Sequence, residues 1–157
     1  MHPACLICTR AGLAIQNELG RFPDAETGGL LLGHADENRI EVLEATDAGF
    51  RNVVREPDQF AYDPEYQVHL CSILSGLYDP PLELIGIWHK HNCVNPLPFS
   101  QDDEAIHRQL LENGSPCLSI LFEKEADETG SYRVRVFLLS SDGAHSDVTD
   151  IAAWETV

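Results

Sequence analysis

Residues 82–91, Leu-Glu-Leu-Ile-Gly-Ile-Trp-His-Lys-His, constrain the fold most. Alternate residues of a strand face opposite sides, which puts Ile85, Ile87, His89 and His91 on one face and Leu84, Gly86, Trp88 and Lys90 on the other. Both faces begin apolar, as in a strand covered on both sides at the centre of a sheet. Both become polar at the carboxyl end, so the strand is expected to emerge into a cleft. There His89 and His91, two residues apart and about 6–7 Å from each other on one face, can turn both imidazoles onto one ion. A lone His-x-His is weak evidence among seven histidines, so the neighbouring residues have to decide.

Nine residues after His91 comes Ser100-Gln101-Asp102-Asp103. Ser followed three residues later by an acid, at the start of an amphipathic stretch, is a capping-box pattern. The same spacing can hold Asp103 as a third metal ligand, and the readings are compatible, because a capped helix start fixes both residues in space. A His/His/Asp set leaves one position of a tetrahedral zinc open, which is the arrangement of a catalytic site. Far upstream, Glu26 precedes Thr27-Gly28-Gly29-Leu30-Leu31-Leu32-Gly33, a short apolar run that reads as a buried strand. Taken alone, a Glu at such an edge is a solvated turn residue.

Glu26, then His89-x-His91, then Ser100-x-x-Asp103 resembles the JAB/MPN/Mov34 (JAMM) family of zinc metallopeptidases. The similarity runs from the first helix to about Ser140 and includes ETGGLLLG and GIWHKH, phrases typical of bacterial members. This chain has Asn92 where the family commonly has Pro, and its loop between His91 and Ser100 is about one residue longer. The resemblance implies an α/β (α+β) fold with a mixed central sheet flanked by helices, the MPN/JAB, cytidine-deaminase-like architecture. It implies one zinc ion on His89, His91 and Asp103, with Glu26 as general base and Ser100 donating to the oxyanion. The activity implied is peptidase or isopeptidase cleavage after the tail of a ubiquitin-like or sulfur-carrier protein. The alternative is a non-catalytic MPN scaffold, a class whose members lack these ligands. Lys90 is expected on the opposite face of its strand and His107 on a helix surface.

At 157 residues the chain suits one domain, expected over residues 1–141 with an acidic tail at 142–157, and can bury roughly 70% of its unfolded surface without staples. Five cysteines, Cys5, Cys8, Cys71, Cys93 and Cys117, show no disulfide spacing. With no signal peptide and no long apolar segment, the expected compartment is the cytoplasm, and no membrane partner is expected. Cys5-x-x-Cys8 lacks a second pair and reads as part of an apolar segment. A zinc nucleobase deaminase would need HxE and PCxxC, which are missing, and Cys93 has no His/Asn context of a thiol hydrolase.

The 26 acidic and 10 basic residues, a net charge of −16 with Lys90 and Lys124 the sole lysines, disfavour nucleic acid as a partner. Such acidity is tolerable in concentrated salt, where screening shortens the reach of self-repulsion to about 3 Å at 1 M. The melting temperature should therefore rise steeply from dilute buffer to molar potassium chloride. A flat profile in a thermal melt series would remove the salt-adapted reading.

Elsewhere, a helix is expected at residues 8–19 with Leu13, Ile15 and Leu19 inward, and strands at 29–33 and 40–45. Residues 47–64 read as an irregular connection containing Phe60-x-Tyr62. A helix at 64–77 would bury Tyr66, Leu70, Ile73, Leu74 and Leu77. A stiff loop at 92–99 and a helix at 101–113, carrying Ile106, Leu110 and Leu111 inward, should follow. Residues 117–123 and 132–139 read as a hairpin around an acidic turn at 125–130. The tail is expected to be loose unless Ile151 and Trp154 dock it.

Overall fold

The computed structural model describes residues 3–93, 98–114, 117–126, 130–140, 145–147 and 151–155. In chain order the elements are β1 (Ala4–Cys8), α1 (Thr9–Arg21), β2 (Thr27–Ala35), β3 (Arg39–Ala45), β4 (Val54–Arg55), β5 (Phe60–Ala61) and α2 (Pro64–Gly76). There follow β6 (Glu83–His91), α3 (Gln101–Glu112), β7 (Cys117–Lys124), β8 (Tyr132–Leu139), β9 (His145–Asp147) and β10 (Ile151–Glu155). Eight strands form one mixed sheet in the order β10-β1-β3-β2-β6-β7-β8-β9, and β4 and β5 form a separate small hairpin. The fold is mixed α/β with helices flanking a central sheet. No helix among the described residues is long and apolar enough to cross a membrane.

The strand that carries both histidines lies inside the sheet, antiparallel to β2 and parallel to β7. On one face Trp88, Ile85, Leu31, Val42, Leu118 and Ile120 pack with Ala11, Ile15 and Leu19 of α1. On the other, Leu30, Ile87, Cys117 and Leu139 pack with Leu110 of α3, and Ile106, Leu111, Phe99 and Leu84 complete that cluster. A parallel β6/β7 pair needs a crossover, and α3 supplies it.

Strict alternation fails at one residue of β6. Leu31 pairs with Gly86 but Leu32 with Leu84, so Ile85 is the extra residue of a bulge. Ile85 consequently joins Trp88, and Leu84 joins Ile87. Above the bulge the expected alternation resumes.

Several expectations change where neighbours override local pattern. Leu13 is half exposed, and the inward face of α1 is Ala11, Ile15, Glu18 and Leu19, including a carboxylate the apolar pattern had no reason to select. On α2, Ile73 and Leu77 are exposed, whereas Gln67 is buried and bonded to Thr46 and to the Asp47 carbonyl. The connection at 47–64 contains the β4–β5 hairpin. The Cys5–Cys8 segment is a strand, β1, paired on both edges by β3 and β10. The tail supplies β9 and β10 through its backbone. Whether the Ile151 and Trp154 side chains dock it lies outside the described residues, as do parts of the 92–99 loop and the 125–130 turn.

Candidate metal centre

Glu26, His89, His91, Ser100 and Asp103 come from three places that the fold brings together: the entry to β2, the end of β6 and the start of α3. Gly28 lies opposite His89 across the β2/β6 ladder. A Cβ on Gly28 would come within 2.4 Å of the Trp88 carbonyl oxygen and 2.8 Å of the His89 Cβ. The glycine thus allows the strand following Glu26 to run close beside the histidine strand, which any side chain would push away.

Ser100 caps α3 with both halves of the capping box formed. Its Oγ accepts from the Asp103 N–H at 3.2 Å, and its own N–H donates to Asp103 Oδ2 at 2.7 Å. That same Oδ2 lies 3.4 Å from His89 Nε2 and 3.7 Å from His91 Nε2. The cap and the cluster are one construction, because the backbone hydrogen bond that starts the helix aims the carboxylate at the imidazoles. Ser100 keeps its hydroxyl proton available, since the cap uses Oγ as an acceptor.

The Nε2 atoms of His89 and His91 are 2.7 Å apart, a hydrogen bond in which one imidazole donates and the other accepts. Tetrahedral zinc with bonds of about 2.0–2.1 Å sets its ligand atoms about 3.3 Å apart. The Asp103 separations lie close to that spacing, and the ring-to-ring contact needs to open by about 0.6 Å to match it. The three donors all lie within 4.8 Å of one another, and the chemistry of the set, two neutral nitrogens and a carboxylate, fits a zinc-type ion.

Glu26 Oε1 is 3.4 Å from His91 Nδ1, on the far side of the ring from the cluster. A carboxylate there favours the proton on Nδ1 and leaves the Nε2 lone pair facing the other donors. His89 is 3% exposed, and its Nδ1 has no hydrogen-bond partner among the described residues.

Charge around the cluster is strongly coupled. Burial pushes the Glu26 carboxyl up, with Asp103 and Asp58 adding to the shift and His91 and Lys90 opposing it. Burial acts the same way on Asp103, but the His89 and His91 rings and the Ser100 N–H outweigh it and hold that carboxyl well below the usual range. For His91 burial acts to lower the pKa, yet Asp103, Glu26 and Glu123 raise it overall. Glu26 therefore has a proton affinity nearer to neutral than a free carboxylate, and Asp103 stays anionic and available to a cation.

Two sequence expectations for the surroundings fare differently. Lys90 does face away from the cluster, fully buried, with its pKa pushed down to about 8 by burial and by Lys124. His107 is not on the helix surface: it is 4% exposed, with Nε2 3.2 Å from Ser119 Oγ and its ring edge-on to Phe99. The signal was present, since His107 follows Asp103 by four residues and so shares its helix face. Phe99 links this histidine to the site, with ring centroids 6.4 Å from His89 and 4.9 Å from Phe137. Glu123, fully buried, pairs with His91 across the β6/β7 ladder and lies 3.6 Å from Arg135 Nη1. Neither Phe99 nor Glu123 was legible as a site neighbour without the strand order.

No family model and no curated protein matches the chain. Among solved structures, it is similar to the solution structure of protein DSY2949 from Desulfitobacterium hafniense, with a TM-score of 0.64 and 18% sequence identity over 97% of this chain and 94% of that one. A likeness at that identity is one of fold.

Proposed function

We propose that this chain is a zinc-dependent peptidase or isopeptidase of the JAB/MPN/Mov34 (JAMM) type, cleaving after the C-terminal tail of a ubiquitin-like or sulfur-carrier protein. The observation that carries the reading is the convergence of His89 Nε2, His91 Nε2 and Asp103 Oδ2, with the Glu26 carboxylate against the same His91 ring. Zinc held by these three residues supplies Lewis acidity and a water of lowered pKa. Glu26, its basicity raised by burial, accepts the proton of the attacking water and returns it to the departing amine. Ser100 donates its hydroxyl to the oxyanion of the scissile carbonyl, while its N–H keeps Asp103 in place. Phe99 lies beside His89 on the α3 side, with the buried His107 packed against it.

The substrate class is the one that the sequence resemblance implies. A chain threading past closely spaced side chains to such a centre must be extended and small at the cut, and Gly-Gly meets that requirement. With zinc fully loaded, a ubiquitin-like protein ending in Gly-Gly should be cleaved roughly 10²-fold faster than its Val-Val variant, because a misplacement of about 1 Å costs that much. Equal rates in a side-by-side cleavage assay would point to a general peptidase and remove the tail-specific reading.

A further inference from the structure

Lys90 and Lys124 from two neighbouring strands, and Asn92 just past the end of β6, converge on the short segment that joins α1 to Glu26. Lys90 Nζ donates to the carbonyls of Phe22 at 2.7 Å and Pro23 at 2.9 Å. Lys124 Nζ donates to the Pro23 carbonyl at 3.1 Å and to Asp24 Oδ1 at 3.2 Å. Asn92 Nδ2 donates to the Asp24 carbonyl at 3.1 Å and to that of Pro57 at 2.7 Å. The next hairpin holds Glu26 directly, through a 2.8 Å bond from its N–H to the Glu56 carbonyl.

Lys90 and Lys124 are the only lysines in the chain, and both grip this segment. Lys90 has no exposed surface. Burying an ammonium is costly, and an apolar side chain of similar length would pack there without that cost, so packing alone does not account for it. What an apolar residue cannot do is bond two successive carbonyls at the end of α1, where unsatisfied backbone oxygens also favour a cation. Because neighbours on a strand face opposite ways, Lys90 reaches this loop while His89 and His91 reach the cluster. The strand that presents the two imidazoles thus also holds the segment that presents the carboxylate. Asn92 adds a third donor to the same segment and links it to the Pro57 carbonyl of the next hairpin.

We propose that Lys90, Asn92 and Lys124 are positioning residues, a donor clamp that holds loop 22–24 and, through it, Glu26 in register with His89, His91 and Asp103. The inference rests on reading Glu26 as the proton acceptor. Lys90→Met and Asn92→Ala in the zinc-loaded full chain test it by three readouts: amide hydrogen exchange, zinc per chain, and kcat and KM on a fluorogenic peptide amide ending in Gly-Gly.

Exchange at the Glu26 amide, which donates to the Glu56 carbonyl, should quicken by about 10-fold or more while the amides of β6 and β7 keep their protection. Zinc content should stay at the wild-type level, and kcat should fall roughly 10–100-fold with KM within about twofold. Should Lys90→Met fail to fold, Asn92→Ala carries the test, its side chain being nearer the surface. Unchanged exchange at Glu26 would overturn the clamp. Opened amides with an unchanged kcat, or loss of protection throughout the sheet together with zinc, would overturn the positioning role. If zinc-loaded wild type cleaves nothing, the peptidase reading fails, and exchange still decides whether the clamp exists.

Discussion

Glu26→Gln should retain zinc at the wild-type level and lose turnover by roughly 10²–10⁴-fold. The substitution separates two things that Glu26 can do. Its Oε1 lies 3.4 Å from His91 Nδ1, and a glutamine carbonyl in the same place still presents an acceptor oxygen to that nitrogen without the carboxylate's charge. An amide cannot take up the proton of an attacking water. Burial raises the proton affinity of the carboxylate, which improves it as a base and has no counterpart in the amide. Metal analysis alongside steady-state kinetics checks both halves. Near-normal hydrolysis by the variant would remove Glu26 from the mechanism, and loss of zinc would recast it as part of the metal-holding set.

His89→Ala should abolish stoichiometric zinc binding, more completely than the 10–100-fold loss usual for an outer-shell change. Asp103 Oδ2 and the two Nε2 atoms form a set of three donors, and removal of one leaves a two-point site beside a cavity that water can enter. A thermal melt supplies a readout independent of any substrate. Zinc bound to the native state at 100 times its Kd stabilises it by about 2.7 kcal/mol, so wild type should melt higher with zinc and lower with chelator. The variant should melt at one temperature under both conditions. Equal zinc in wild type and in a His89→Ala/His91→Ala double variant would show that the metal sits elsewhere.

Local chemistry made much of the site legible. The capping box at Ser100 and Asp103 involves residues three apart, so it forms wherever that helix starts. The His89/His91 face depends on strand periodicity alone, and the bulge at Ile85 lies before it and does not disturb it. The β7–β8 hairpin and the α3 face carrying Leu110 likewise follow from the spacing of apolar residues.

What the sequence by itself determined is therefore the shared face of His89 and His91, the capping box and the local elements that carry them, since each rests on residues a few positions apart. Tertiary structure decided which donors meet and what supports them. Glu26 reaches His91 because β2 pairs with β6, and Gly28 permits the close approach. Glu18 is 1% exposed because it accepts bonds from Thr27 and from Arg55, nine and 37 residues away. Lys90 became a tether, His107 a buried partner of Ser119, and Leu13 a surface residue only through the elements packed against them. The free energy of burying a polar group depends on whether a distant partner satisfies it, and a periodic pattern contains no information about that partner.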